Sequence, residues 1–179
     1  MYFLSGFPRS GSTLLTSLLN QRSDIYASPT SNLCNTLGST VSSWEKDPAT
    51  KASGGKKTDL YRILKGIIDS RYDTDKIIFD KAREWPNVKI MNTMKKVQGD
   101  MKIVATVRPI AECLASFAKI AKPENIKEFC KKSPLANYLF TSYKLLKEGY
   151  ETHPENFLLI EYDKLVKDTQ YEMNRISDF

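Results

Sequence analysis

A glycine-containing segment near the N-terminus has the composition of an anion-binding loop. Four residues separate Gly6 from Gly11, an apolar run precedes them, and Ser12, Thr13 and a leucine-rich helical pattern follow. Between a strand and a helix, such a loop can turn backbone N–H groups and the helix N-terminus toward phosphate oxygens. ATP-binding loops of this spacing carry Lys after the second glycine. This chain has Ser12 there, and its only loop cation is Arg9. The displaced charge predicts a different group-transfer reaction.

A second candidate anion contact follows the strongest strand pattern of the chain, residues 102–107. Arg108 comes directly after this run, and Ser116 follows eight residues later in a predicted helix. An arginine at a strand tip and a serine two helical turns further on can face one cleft. A guanidinium group offers phosphate two parallel hydrogen bonds. The pattern therefore predicts a second phosphate contact.

Together these two segments resemble the sulfotransferase family, whose opening motif is a strand, a Pro, a Lys or Arg, and a Ser-Gly-Thr/Ser-Thr run leading into a helix. The Pro-Arg-Ser-Gly version is most similar to the tyrosylprotein-type and the bacterial or viral members. The resemblance implies 3'-phosphoadenosine 5'-phosphosulfate as the co-substrate, transfer of its sulfuryl group to a hydroxyl or amine acceptor, and no metal. It assigns the 5'-phosphosulfate to Arg9, Ser10, Gly11, Ser12 and Thr13, and the 3'-phosphate to Arg108 and Ser116. Arg9 would also neutralise charge on the leaving oxygen.

The acceptor side of the site depends on the segment after residues 76–80. The resemblance implies that Lys81 lies near the transferring group, but the histidine base of the cytosolic branch is missing. Glu84 is the candidate base, because a carboxylate beside a cationic cleft can accept a proton. Its place in a first helical turn also suits a helix dipole. Arg83 could instead bind an anionic acceptor. The only histidine, His153, precedes the last strand and is expected at the opposite end of the sheet.

Three other functions fit parts of this sequence. Asp80 ends an apolar strand pattern, as does the magnesium-binding aspartate of ATP-using phosphotransferases, so a kinase using ATP and magnesium is the first alternative. A catalytically inactive sulfotransferase-like protein would keep both phosphate contacts without a base. A basic interaction domain would use neither contact.

Strand and helix patterns alternate along the whole chain. Strands are predicted at residues 2–5, 24–27, 76–80, 102–107 and 156–160, with helices between most of them. This alternation predicts a single α/β domain over residues 1–179, with three α/β/α layers, a central parallel sheet, and ligands at the carboxyl ends of the strands. Residues 28–57 are rich in Ser, Thr, Asn and Gly and lack sustained periodicity, which predicts an irregular, mobile lid facing the substrate.

Composition and charge indicate which classes of molecule the protein is expected to bind. The chain has 27 Lys and Arg against 21 Asp and Glu, a net charge of +6, which suits an anionic ligand. Its basic clusters lack the interleaved aromatic residues that stack on bases, so no nucleic acid is expected. Three cysteines without metal-type spacing predict free thiols and, with no leader or anchor pattern, a cytoplasmic protein without membrane contact. The expected partner is a small-molecule or peptide acceptor.

Overall fold

The computed structural model describes residues 1–179 and has a five-stranded sheet at its centre. All four strand pairings are parallel, and the strand order is β2-β3-β1-β4-β5. The strands are β1 (Tyr2–Gly6), β2 (Ile25–Ala27), β3 (Ile77–Lys81), β4 (Ile103–Val107) and β5 (Phe157–Glu161). Each coincides with a predicted strand to within one residue at either end, because each is a short apolar run bounded by polar or turn residues.

Ten α-helices connect and cover these strands. They are α1 (Ser12–Leu19), α2 (Leu33–Lys46), α3 (Pro48–Ala52), α4 (Lys57–Arg71), α5 (Val88–Gln98), α6 (Ile110–Ala121), α7 (Ile126–Lys132), α8 (Pro134–Thr152), α9 (Tyr162–Lys167) and α10 (Thr169–Asp178). No helix is both long enough and apolar enough to cross a lipid bilayer.

Hydrophobic side chains cover both faces of the sheet. Phe3 and Ile103 belong to a cluster of 22 buried residues that also draws on α2, α4, α5, α6 and α8. Their neighbours Leu4 and Val104 belong to a separate cluster of 10 buried residues, together with α1, α9 and α10. Since successive residues of a strand point to opposite faces, the two clusters are the two sides of one sheet. The predicted three-layer α/β/α fold with a parallel sheet is confirmed.

The prediction that residues 28–57 are irregular is wrong. Helices α2 and α3 occupy most of this segment, and Leu33, Leu37 and Val41 of α2 are buried in the larger cluster. These three positions recur every four residues and form one apolar stripe on a helix that is otherwise polar. The stripe, rather than the low helix propensity of its Ser, Thr and Asn neighbours, decides the structure here. Mobility of the segment stays a prediction.

The central strand fixes where the site can form. Strand β1 pairs with β4, and the connection from β1 leads to β2 on one side of the sheet while that from β4 leads to β5 on the other, so the two connections diverge at the carboxyl ends of these strands. Open α/β sheets bind ligands in the crevice at this point. Arg9 and Arg108 lie in the turns after β1 and β4, and Lys81 is the last residue of β3; these are the cations singled out from the sequence.

Candidate active site

The turn from β1 into α1 adopts a conformation that suits an anion. Arg9 has φ 69° and Gly11 has φ 94°, both in the left-handed region that non-glycine residues seldom occupy. Alternation of left-handed and right-handed backbone turns successive N–H groups toward one concave side. The position of Gly11 also demands glycine for space, because a Cβ atom there would lie 2.5 Å from Cδ2 of Tyr162.

Several donors of this turn are free. The N–H groups of Arg9 and Gly11 bond to no backbone acceptor, and no side chain caps the N-terminus of α1. The first N–H groups of a helix have no acceptor within the helix. They carry the positive end of the helix dipole. The turn therefore presents a row of unused donors beside Ser12 and Thr13.

Ser10 is placed differently from its neighbours. Its side chain is buried, and its Oγ donates 2.7 Å to the carbonyl of Phe7, with the carbonyl and Oγ1 of Thr106 at 2.9 and 2.7 Å. Its N–H also bonds to the Phe7 carbonyl, at 3.2 Å. Ser10 thus ties the turn to β4, and it does not line the cavity described below, where the sequence placed it as a phosphate ligand.

Arg9 reaches across to the second predicted contact. Its Nε donates 3.0 Å to Oγ of Ser116 on α6, which joins two segments 107 positions apart. No other side-chain hydrogen bond of Arg9 is present, so both terminal NH₂ groups stay available to a ligand. The side chains assigned to opposite ends of a nucleotide are therefore adjacent in the fold.

Arg108 is held from two sides. Its Nε donates 2.8 Å to Oε2 of Glu112, and its guanidinium carbon lies 4.3 Å from the ring centroid of Tyr162. The hydrogen bond to Glu112 is the largest reason that the pKa of Arg108 is raised above its usual value. Stacking on the tyrosine ring fixes the plane of the guanidinium and therefore the directions of its terminal N–H donors.

These elements enclose one cavity of about 440 Å³, within the usual range for a small-molecule site. Its wall contains the turn after β1, the tip of β4 with α6, the N-terminal end of α8, and the start of α9. The lining residues are Pro8, Arg9, Gly11, Ser12, Thr13, Leu14, Arg83, Arg108, Ser116, Phe117, Leu135, Tyr138 and Tyr162. Six of the seven residues predicted to bind the co-substrate are among them; Ser10 is the exception.

A second cavity, of about 130 Å³, adjoins the first and contains the other predicted residues, Lys81 and Glu84. The two cavities share Ser12, Arg83 and Tyr138. The side chain of Lys81 is largely buried and forms no ion pair. Burial and, secondarily, the charge of Arg83 lower the pKa of Lys81. The sheet therefore brings the loop cation, the β3 lysine and the β4 arginine around one continuous space.

Sequence comparison assigns a family to this arrangement. Residues 2–179 match the model of the Sulfotransferase family. The chain belongs to the sulfotransferase family. A search of curated protein sequences found no match.

Solved structures of similar fold agree with this assignment. The sulfotransferase domain from the curacin biosynthetic pathway is 20% identical, with a TM-score of 0.62 over 99% of this chain and 72% of that one. The sulfotransferase domain of the Synechococcus PCC 7002 olefin synthase is 17% identical, with a TM-score of 0.61 over 99% and 71%. Sulfotransferase STF9 from Mycobacterium avium is 14% identical, with a TM-score of 0.59 over 99% and 62%. At these identities, the likeness shows the fold alone.

The carboxylate of Asp80 is hydrogen-bonded inside the protein. The residue is fully buried; Oδ2 accepts a 2.5 Å hydrogen bond from the Tyr72 hydroxyl, and Oδ1 accepts a 2.9 Å bond from Nε1 of Trp85. Strand alternation turns Asp80 away from the side on which Lys81 lines the second cavity. Asp80 was the best support for a magnesium-dependent kinase, and its carboxylate serves the core instead.

The second cavity has a polar lining. Glu84 forms no ion pair, and it lines the second cavity with Lys81 and with Thr30, Ser31 and Asn35. The last three belong to the segment predicted to face the substrate. His153 lies elsewhere, 3.1 Å from Oδ1 of Asn92, beside a small cavity next to Met101 and Asn156 at the amino ends of β4 and β5.

Two tyrosines at the site were not found from the sequence. Tyr162 contacts both Gly11 and Arg108, while Tyr138 lines both cavities and accepts a hydrogen bond from Arg83. Tyr162 directly follows β5, at the same edge of the sheet as the other site residues, and this position was the available signal. Tyr138 lies in the second turn of the long helix α8 and carried no local signal, because only the packing of α8 brings it to the cleft.

Proposed function

We propose that this chain transfers the sulfuryl group of 3'-phosphoadenosine 5'-phosphosulfate to a hydroxyl group of a small-molecule or peptide acceptor. One observation carries the proposal: Arg9 and Arg108 line a single cavity together with the open N–H groups of the turn after β1. The co-substrate has about four negative charges, given a terminal-phosphate pKa near 6. Two arginines and a helix N-terminus in one cavity match such a ligand better than they match a singly charged one.

The proposal assigns a role to each side chain that lines the two cavities. Gly11, Ser12 and Thr13 hold the 5'-phosphosulfate through N–H and hydroxyl donors, Arg108 and Ser116 hold the 3'-phosphate, and Arg9 lies between them. Lys81 faces the transferring group from the second cavity, in which the acceptor lies. In this proposal the acceptor approaches the sulfur atom from the second cavity, and the leaving phosphate lies in the first, on the opposite side of sulfur, as in-line displacement requires.

The chemical step exchanges one bond to sulfur for another. The acceptor oxygen attacks the sulfur atom, and the bond between sulfur and the bridging oxygen breaks. The electron pair stays on the 5'-phosphate of the product adenosine 3',5'-bisphosphate, and Arg9 neutralises that developing charge. The hydroxyl proton passes to Glu84, the carboxylate that lines the acceptor cavity. The products are a sulfate ester and the bisphosphate.

Calorimetric titration tests this function without knowledge of the acceptor. Adenosine 3',5'-bisphosphate should bind, and ATP with magnesium should bind at least about tenfold more weakly, because Arg108 and Ser116 fit a 3'-phosphate that ATP lacks. Arg108→Ala should lower bisphosphate affinity about 10- to 100-fold, the effect of removing a charge-assisted contact. Arg22→Ala is the matched control, since Arg22 also pairs with a carboxylate, 2.7 Å from Asp24, yet lines neither cavity. Equal or tighter binding of ATP, or an unaffected Arg108→Ala variant, would contradict the proposal.

A further inference from the structure

An arginine without a carboxylate partner lies at the junction of the two cavities. Arg83 follows β3 by two residues and lines both cavities. Its one side-chain hydrogen bond runs from a terminal nitrogen to the Tyr138 hydroxyl, at 2.8 Å, and its guanidinium carbon lies 5.2 Å from the centre of that ring. Its Nε atom is buried without any acceptor. The buried Nε is out of reach of a ligand, but the second terminal nitrogen, Nη2, forms no hydrogen bond and is not buried, so the guanidinium has donors to offer to an acceptor in the cavities.

The charges around Arg83 define what that acceptor would be. Lys81 and Arg83 both line the second cavity, and burial first, then the charge of Arg83, lowers the pKa of Lys81. Neither forms a salt bridge, whereas Arg108 at the far end of the first cavity has Glu112. An anion between Arg83 and Lys81 would offset the repulsion between these two cations and would accept hydrogen bonds from the terminal nitrogens of the guanidinium.

The position of Arg83 indicates which part of the ligand would lie between Arg83 and Lys81. Only Ser12, Arg83 and Tyr138 belong to both cavities. Ser12 is the first residue of α1, where the 5'-phosphosulfate is placed by the proposed function, and Lys81 faces the acceptor side. The group that lies between the 5'-phosphate and the acceptor is the sulfuryl group, which carries three oxygens that can accept hydrogen bonds.

Building on the proposed function, we infer that Arg83 is a further catalytic residue, which donates hydrogen bonds to the oxygens of the sulfuryl group, and that Tyr138 is the residue that positions it. The guanidinium holds the group while it moves from the phosphate oxygen to the acceptor oxygen. Its charge stabilises the sulfuryl oxygens on both sides of the transfer. The Tyr138 hydroxyl and ring fix the guanidinium at the junction, so the donors need no rearrangement during the reaction.

Comparison of two nucleotides isolates this contact. 3'-Phosphoadenosine 5'-phosphosulfate carries the sulfuryl group, and adenosine 3',5'-bisphosphate lacks it but keeps both phosphates. Calorimetry on Arg83→Ala should show an affinity loss of about 10- to 100-fold for the first nucleotide and less than about threefold for the second. Tyr138→Phe should show a smaller loss with the same selectivity, because the ring stays while the hydroxyl is removed.

A matched control and a conservative variant test whether the affinity loss is specific to Arg83. Arg71 also lies over a tyrosine ring, 4.9 Å from the centroid of Tyr72, but lines neither cavity, so Arg71→Ala should change neither affinity. If Arg83→Ala does not fold, Arg83→Lys decides the question: it keeps the charge but loses the paired donors, and it should weaken only the sulfated nucleotide. A melting curve establishes that each variant is folded.

The possible outcomes distinguish a failure of this inference from a failure of the proposed function. If the unmodified protein binds neither nucleotide, the proposed function fails. If it binds both and Arg83→Ala weakens both equally, Arg83 contacts a phosphate and the inference is overturned. If Arg83→Ala changes neither, Arg83 belongs to the acceptor alone, and the inference is again overturned. Selective loss of the sulfated nucleotide supports it.

Discussion

Replacement of Gly11 by alanine tests the contact on which the geometry of the site depends. Two effects add: a non-glycine residue in left-handed backbone costs about 1–2 kcal/mol, and crowding a packed position costs about 1–3 kcal/mol. The backbone angle φ of Gly11 is 94°, and the new Cβ would lie 2.5 Å from the Tyr162 ring. The reduced freedom of the unfolded chain returns about 0.4–1 kcal/mol. We therefore expect the free energy of unfolding to fall by about 1–4.6 kcal/mol, with a central value of roughly 3 kcal/mol.

Thermal unfolding measures this loss directly. For a chain of this length, 1 kcal/mol corresponds to a shift of about 2–4 °C, so Gly11→Ala should lower the Tm by roughly 5–15 °C. Gly54→Ala is the matched control, because Gly54 also has positive φ, 65°, but an added Cβ meets no atom within 4 Å. That control should cost only about 1 kcal/mol.

The difference between the two variants is the Tyr162 contact. Adding Tyr162→Ala to Gly11→Ala should cost less than Tyr162→Ala costs alone, because the added methyl group then occupies space that the ring has left. Equal Tm losses for Gly11→Ala and Gly54→Ala, or strictly additive effects of the pair, would refute the packing of Tyr162 against the loop. The link between the loop and Arg108 would fall with it.

Three further predictions concern side chains around the site. Ser10→Ala should cost about 1–3 kcal/mol in urea unfolding, since the Ser10 hydroxyl bonds inside the turn, yet change bisphosphate affinity less than about threefold; a large affinity loss with full stability would contradict the assignment. Asp80→Asn should also lower the free energy of unfolding by about 1–3 kcal/mol, because the donors of Tyr72 and Trp85 lose a charged acceptor. Magnesium should leave the Tm of the unmodified protein and of the variant unchanged. If magnesium stabilised the unmodified protein but not the variant, the kinase alternative would be restored. Burial, the hydrogen bond to Asp80 and the charge of that carboxylate raise the pKa of Tyr72 to about 12. The folded state thus holds the phenol proton more tightly than the unfolded chain, so this stability is complete below about pH 10 and is lost toward pH 12. Urea unfolding at pH 9 and 11 should therefore show a larger loss for the unmodified protein than for Tyr72→Phe, and equal losses would contradict the raised pKa.

Local patterns predicted the sheet because its strands are short apolar runs. Each run is bounded by polar or turn residues, and all lie inside a layered fold in which both faces are buried. Helix α2 was missed for the opposite reason. Its composition is polar, and the stripe of Leu33, Leu37 and Val41 was outweighed by the Ser, Thr and Asn residues around it. Tertiary packing overrides weak propensity in such a helix.

Some residues of the site could likewise be placed from local sequence patterns, and others could not. Residues joined to a strand tip, Arg9, Lys81 and Arg108, could be placed from the sequence, because parallel strands bring their carboxyl ends to one edge. The inward turn of Ser10 could not be placed, since it depends on the carbonyl and hydroxyl of Thr106 on another strand. Nor could Tyr138, which depends on how α8 packs across the cleft. Contacts between distant segments carry no local sequence signal.

A crystal structure with bound adenosine 3',5'-bisphosphate would test the central claim most directly. The account predicts one nucleotide across the first cavity, with its 5'-phosphate on the N–H groups of residues 11–13 and its 3'-phosphate against Arg108 and Ser116. Density for the nucleotide outside this cavity, or a 3'-phosphate that contacts neither Arg108 nor Ser116, would contradict it.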